Sequence, residues 1–239
     1  MTVAIIVQAR FGSSRLPGKV LLPLGAGTVL AEVLRRCRAV PGVDVVCCAV
    51  PHGELDDEVA DIAAAAGAEV SRGSETDVLD RYWQAARQVG ADLIMRVTSD
   101  CPLIDPGLCG QVLSLVGPGV DYAANNMPPG FPHGLDCEAF PTRALAEAAA
   151  KATDAADREH VTPWLRRSDP TRLRALAGPG GDLVHHRWTL DYPEDYVFLR
   201  RLFRRLPAGP AGAVPDWRQT LAVAQDRDLM RINESRHQR

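Results

Sequence analysis

The sequence predicts an α/β protein on a mostly parallel sheet, and three observations lead there. β-Branched, apolar runs at Val3 to Val7, Val43 to Val50 and Asp92 to Thr98 read as buried strands. Between them lie segments with apolar residues at helical spacing, the alternation of a parallel sheet. Each strand also ends where a polar motif begins, and open α/β sheets bind ligands at that edge.

Taken in order, the first strand breaks at Gln8-Ala9 into a loop running to Lys19. Gly25-Ala26-Gly27 is a turn, and Thr28 caps a helix with Val29, Val33, Leu34 and Cys37 on one face, ended by Pro41-Gly42. The second strand stops at Pro51, and Leu55 to Ala66 is an alanine-rich helix closed by Gly67. Ala68 to Val70 is a short third strand, Asp77 to Val89 a helix, and Asp92 to Thr98 the fourth strand. Asp121 to Asn126 is a strand end, followed by the Pro- and Gly-rich Met127 to Gly134. Leu135 to Phe140 alternates apolar and acidic residues and is expected in a substrate lobe or dimer contact rather than in the sheet core. Ala144 to Ala152 and Ala155 to Arg167 read as helices, and Leu183 to Leu190 as a late strand ending at Asp191-Tyr192-Pro193-Glu194-Asp195, with a helix to about Leu206. Leu206 to Pro215 is a surface link, and the rest a peripheral helix with a frayed, charged tail.

The 239 residues suffice for one large α/β domain with a lobe. A net charge of −3 without runs of like charge argues against a nucleic-acid surface or a membrane-binding patch. No leader pattern and no membrane-length apolar run are visible, so a soluble, cytoplasmic protein is expected. Cys37, Cys47, Cys48, Cys101, Cys109 and Cys137 form no Cys-x-x-Cys pair and read as reduced, buried small hydrophobes.

The chemistry concentrates at three strand ends. In the first, Arg10, Arg15 and Lys19 offer charge to phosphate oxygens, Ser13 and Ser14 offer hydroxyls, and Gly12 and Gly18 let backbone N–H groups approach an anion. Such a loop suits a triphosphate, although it is not a Walker A loop. In the second, Arg72-Gly73-Ser74 forms a turn, with Asp77 and Arg81 at helical i, i+4 spacing. That pair is either an ordinary helix salt bridge or the wall of a base and ribose pocket. In the third, Thr98-Ser99-Asp100 precedes Pro102, and Asp100 is either a turn residue or a ligand for a hard cation such as Mg²⁺. Asp191 ends the late strand in a similar position, whereas Glu194 and Asp195 suit helix capping. Glu159 and His160 could face an acceptor, while a metal site made of His133, His185 and His186 is disfavoured.

Gln8-Ala9-Arg10, Ser13 to Lys19, Arg72-Gly73-Ser74, Asp77-Val78-Leu79, Arg81-Tyr82, Asp100 to Asp105, Gly134-Leu135-Asp136, Glu138 and Arg158 to Pro163 together closely resemble the SpsF-type cytidylyltransferases. More distantly they are similar to the CMP-sugar synthetases that activate ketodeoxyoctonate and sialic acids. The resemblance implies a three-layer, Rossmann-like nucleotidyltransferase that transfers CMP from CTP to a small acidic acceptor and releases pyrophosphate with Mg²⁺. It implies catalytic roles for Arg10, Lys19 and Asp100 and metal binding by Asp100 and Asp191. Nucleotide contacts are expected from Gln8, Ala9, Gly12, Ser13, Arg15, Arg72, Gly73, Ser74, Asp77, Arg81 and Thr98. Acceptor contacts are expected from Asn125, Asn126, Asp136, Glu138, Glu159 and His160. On this reading residues 1–115 bind the nucleotide, 116–206 form an acceptor and dimer lobe of a homodimer, and 207–239 are peripheral. A glycosyltransferase on a similar sheet and a non-catalytic nucleotide-binding subunit are the alternatives; the former usually carries an Asp-x-Asp motif, absent near Asp100.

Overall fold

The computed structural model describes residues 1–207 and 213–236. Strand β1 (Val3–Gln8) is apolar on both faces, with Val3, Ile5 and Val7 in one hydrophobic cluster and Ala4 and Ile6 in another. Such a strand needs helices on both sides. A small hairpin of β2 (Pro23–Leu24) and β3 (Gly27–Thr28) leads into α1 (Val29–Arg38), where the Ala31 N–H donates to the Thr28 hydroxyl at 3.2 Å. A cap of this kind stabilises a helix by about 1 kcal/mol. β4 (Val45–Pro51), α2 (Asp57–Ala65), β5 (Glu69–Gly73), α3 (Val78–Gln88) and β6 (Leu93–Thr98) follow, and β5-β4-β1-β6 pair in parallel.

After α4 (Pro106–Ser114) the sheet changes character. β7 (Tyr122–Ala124) is followed by β8 (Glu138–Pro141), and β8 inserts between β6 and β7, antiparallel to both. Then come α5 (Thr142–Lys151), α6 (Ala155–His160), α7 (Pro163–Ser168) and β9 (Leu173–Ala175), which pairs in parallel with β7 and completes a seven-stranded order β5-β4-β1-β6-β8-β7-β9. One helical layer takes its apolar face from α1, α2 and α4, and the other from α3, α5 and α7. A third cluster joins α8 (Pro193–Phe203), α9 (Trp217–Ala224) and α10 (Arg227–Asn233) to Trp188 and Leu190. No helix among the described residues is long and apolar enough to cross a membrane. All six cysteines are buried and unpaired.

Four elements differ from expectation. Residues 138–141 lie inside the sheet because the Glu138 carboxylate, only 2% exposed, is fully engaged there. It accepts from Arg96 at 2.5 Å and from the Thr162 hydroxyl at 2.9 Å, and also from Tyr122 and Arg166. Burial opposes its ionisation, but Arg96 and Arg166 outweigh burial and hold it down at about 2. The single helix expected over residues 155–167 is two helices. They are broken at Val161, whose φ of 71° is the one positive value for a non-glycine among the described residues, just before Pro163 opens α7.

Residues 183–190 are not a strand. A 3₁₀ turn spans Gly181–His185, and the following residues make only an isolated bridge between Arg187 and His133. The neighbouring segment contains Pro128, Pro129 and Pro132, which cannot donate to a ladder. Finally, the C-terminal segment is two helices rather than one, and it is anchored: the Asn233 side-chain amide donates to the Arg187 carbonyl and to Asp195, both at 3.0 Å. Half of the expected link, residues 208–212, and the last three residues of the expected tail lie outside the described residues.

Gly134 shows how closely the Pro- and Gly-rich segment is laid against the chain. Its φ is 111°, and a Cβ there would stand 2.7 Å from both the Thr189 nitrogen and the Trp188 carbonyl carbon. Gly134→Ala is therefore expected to destabilise the fold by more than about 2 kcal/mol. Urea denaturation measures this, and an unchanged midpoint would contradict the close approach.

Candidate active site

The loop after β1 is built by its own backbone. The Phe11 N–H donates to Asp56 Oδ1 at 2.6 Å, and the Gly18 N–H returns to the Phe11 carbonyl at 2.9 Å, closing residues 11–18 into a compact turn. Gly18 sits at φ 65°, where a Cβ would press on the Phe11 ring at 3.0 Å. The 3₁₀ turn Lys19–Leu21 that follows aims Lys19 into a cleft of about 420 Å³ at the carboxyl edge of the parallel strands. Gln8, Ala9, Arg10, Gly12, Ser13 and Arg15 line that cleft from the loop side, and Thr98 and Asp100 line it from the end of β6. Arg10 is exposed and has no ion-pair partner among the described residues, leaving one uncompensated cation at the cleft.

Lys19 is the centre of this arrangement. Its ammonium donates to Asp100 Oδ2 at 2.7 Å, to the Leu190 carbonyl at 2.8 Å and to Asp191 Oδ1 at 2.9 Å, using all three of its N–H donors. Burial disfavours its charged form, but the two carboxylates outweigh burial and raise its pKa. Burial also pushes Asp100 up, and attraction and hydrogen bonding from Lys19 bring it down below the usual carboxylate value. Asp191 lies well below that value for the same balance: burial is overcome by Lys19, by Arg15 at 2.7 Å and by Arg187 at 2.8 Å. Both aspartates are therefore ionised at neutral pH. Behind Asp191, the Asp195 carboxylate accepts the Asp191 and Tyr192 N–H groups at 3.0 Å and takes Arg187 as a partner, so it caps α8.

The remaining expected residues divide. Arg81 lines the cleft, almost fully buried, with its guanidinium on the Ser74 and Glu75 carbonyls rather than on Asp77. Asp77 caps α3 through the Asp80 N–H at 2.9 Å and pairs with Arg158, so the i, i+4 salt bridge does not form. Arg72 turns away to the Pro51 carbonyl at 2.8 Å and to Asp57 at 2.6 Å, and it lines an outer groove together with Gly73 and Ser74.

Of the residues expected to contact the acceptor, Glu159 and His160, the last residues of α6, line the cleft. The Val161 turn presents them there: its Thr162 N–H donates to the His160 carbonyl at 2.8 Å. A β-branched residue at this φ costs on the order of 1–3 kcal/mol and persists only where surroundings over-determine it. The Arg158–Asp77 pair and the Thr162–Glu138 bond do so. Asn125, Asn126, Asp136 and Glu138 are not brought to this cleft. Asn125 staples Leu135 and Cys137, Asn126 lies beside Arg166, Asp136 accepts the Gly134 N–H, and Glu138 is in the interior cluster. Arg187 lies inside the run that reads as a strand, and nothing in that run marks it as a site residue. The only local signal is the Arg187, Asp191, Asp195 spacing of four, which reads as a site only once the segment is known to lead into a helix.

The Asp100 and Asp191 carboxylates converge on one point, now held by the Lys19 ammonium. Hard oxygen donors of this kind fit Mg²⁺, which keeps several waters and completes its shell with phosphate oxygens. Among the described residues no cluster of three or more carboxylates, imidazoles and thiols surrounds a common point.

Open α/β sheets bind ligands at the carboxyl ends of their parallel strands, where this cleft lies, and the match of the chain to a transferase family makes it a nucleotidyltransferase. It belongs to the cytidylyltransferase family, whose model matches residues 4–201. It is 31% identical to the spore coat polysaccharide biosynthesis protein SpsF of Bacillus subtilis over 90% of this chain and 89% of that one. A 3-deoxy-manno-octulosonate cytidylyltransferase of Anaeromyxobacter dehalogenans is 35% identical over 51% of this chain and 50% of its own. The solved structure of a cytidylyltransferase from Leptospira borgpetersenii superimposes with a TM-score of 0.88 at 28% identity, covering 95% of each chain.

Proposed function

We propose that this enzyme transfers the cytidylyl group of CTP to a small acidic acceptor and releases pyrophosphate. The observation that carries the reading is the Lys19 ammonium between Asp100 and Asp191, with Arg15 bonded to the same aspartate and Arg10 free beside it. In the reaction a lone pair of the acceptor oxygen forms a new bond to the α-phosphorus, and the bond from that phosphorus to the bridging oxygen breaks. Its electron pair leaves with pyrophosphate.

Arg10 binds and orients the triphosphate, and Arg15 and Lys19 add positive charge beside it that stabilises the charge building on the non-bridging and departing oxygens. Asp100 and Asp191 would hold Mg²⁺, which when bound supplies charge neutralisation at the phosphates and acidifies a bound acceptor oxygen. A phosphonate acceptor attacks through an oxygen already ionised near neutral pH, whereas a nonulosonate or another acidic sugar attacks through a hydroxyl group, whose proton passes to water in the cleft. Val78 and Arg81 supply the wall for the nucleoside, and Glu159 and His160 face the acceptor across the cleft.

Incubation with CTP, Mg²⁺ and a panel of sugar acids and phosphonates should release pyrophosphate with at least one acceptor. Absence of release with every acceptor, together with undetectable CTP binding by calorimetry, would overturn the proposal.

A further inference from the structure

Lys19 stands on the two carboxylates that fit a hard cation. Its ammonium spends all three donors on Asp100 Oδ2, the Leu190 carbonyl and Asp191 Oδ1, at 2.7, 2.8 and 2.9 Å, and none is left for a phosphate oxygen. The socket that receives it is built independently of it. The Leu190 N–H donates to the Asp100 carbonyl at 2.8 Å, and the Asp195 carboxylate fixes the Asp191 N–H at 3.0 Å. The ammonium can therefore leave while both carboxylates keep their places.

The charges at this point already balance. Asp100, Asp191 and Asp195 bring three negative charges, and Lys19, Arg15 and Arg187, paired with them, bring three positive ones. A divalent cation would need oxygens that Lys19 already holds. Two cations on one pair of carboxylates repel, and water screens this poorly where the Lys19 side chain is only 12% exposed. Arg10, exposed and without an ion-pair partner among the described residues, adds a further positive charge to the cleft. The cleft thus draws an anion before it draws a cation. A triphosphate reverses the balance: its oxygens accept from an ammonium, and they also complete the shell of Mg²⁺, which takes only one or two carboxylates from a protein.

We propose that Lys19 is a built-in counter-ion that keeps a divalent cation off Asp100 and Asp191 until CTP arrives, so that metal and nucleotide enter the cleft together. The inference rests on the transfer reaction proposed above. The triphosphate draws the ammonium onto its own oxygens, and the freed carboxylates take the cation that the nucleotide carries with it. Only hydrogen bonds and coordination change hands in this exchange. The cation is thus held by the enzyme only when a phosphate is there for it to act on.

The chain offers a direct test, because its only lysines are Lys19 and Lys151, and Lys151 lies on the surface of α5 in a pair with Glu147. Full-length protein carrying isotope-labelled lysine gives two side-chain signals by NMR, which a Lys151→Arg variant assigns. Mg²⁺ alone should leave the Lys19 signal in place, whereas the same concentration of Mg²⁺ with CTP should shift it and leave Lys151 unmoved. In a second measurement, without CTP, Lys19→Met should bind Mn²⁺ at least tenfold more tightly than the parent protein, read from the electron spin resonance of the free ion. The NMR result on the parent protein stands even if that variant does not fold. Displacement of Lys19 by Mg²⁺ alone overturns the exchange, as does a Lys19 signal that stays put when Mg²⁺ and CTP are both bound. Equal Mn²⁺ affinity in the parent and a folded Lys19→Met overturns it too, and these three outcomes leave the nucleotide reading standing. Undetectable CTP binding by calorimetry would instead remove the transfer reaction, and the exchange with it.

Discussion

Replacing Asp100 by asparagine should reduce turnover by at least about a hundredfold while leaving the fold intact, the scale seen when one preorganised electrostatic group is lost. The fold contribution of residue 100 is made by its backbone: its carbonyl accepts the Leu190 N–H at 2.8 Å and the Thr189 hydroxyl at 3.2 Å, and an amide side chain preserves both. What asparagine removes is one of the two charges that converge on Lys19. Lys19 would remain on Asp191 and the Leu190 carbonyl, so its position should hold while the cation site loses half its charge. Pyrophosphate release measured beside the urea midpoint separates the two roles. Retained turnover would show Asp100 to be a turn residue, and a lost midpoint would show it to be structural.

The largest stability effect is expected at Glu138→Gln. Arg96 and Arg166 meet on this buried carboxylate, and removing its charge leaves two guanidiniums without their anion. Breaking a buried pair of this kind costs about 3–5 kcal/mol at neutral pH. The same residue predicts an acid limb. Its pKa is about 2 in the folded chain against an ordinary 4.5, so between these values the unfolded chain binds more protons. The stabilisation is therefore complete above about pH 4.5 and is lost as pH falls towards 2, amounting to about 3 kcal/mol from this group. Urea titrations from pH 7 to 3 should show that slope in the parent protein and a shallower one in Glu138→Gln. Parallel slopes would mean that the cluster does not govern acid stability.

The two halves of the chain were unequally legible. From Val3 to Thr98 the signals are local: β-branched runs, a Thr28 cap, a proline stop and glycine ends, all within a few residues of the elements they define. Lys19, Asp100 and Asp191 could be singled out for the same reason, Lys19 as the last cation of the loop after the first apolar run and the two aspartates because each follows such a run. Beyond residue 120 the deciding contacts are distant. Glu138 reads as an acceptor contact until Arg96 and Arg166 are placed on it, 42 and 28 residues away along the chain. Hydropathy marks residues 183–190 as a strand, but a ladder also needs a donor-bearing partner, and the adjoining segment is rich in proline. The break at Val161 is held by Asp77 and Glu138, and no local pattern reports it.

The reversed strand β8 has a mechanical consequence. Because it bonds to β6 on one side and β7 on the other, the part of the chain that carries Lys19 and the part that follows Asn125 belong to one uninterrupted hydrogen-bonded sheet. No hinge can open between them without breaking a ladder. Enzymes whose two lobes rotate together can grip a substrate by jaw-like closure, and this molecule has no such joint in its sheet. The bringing together of two reactants falls instead to side chains and short loops at one edge of a rigid plate, the loop that follows β1 among them.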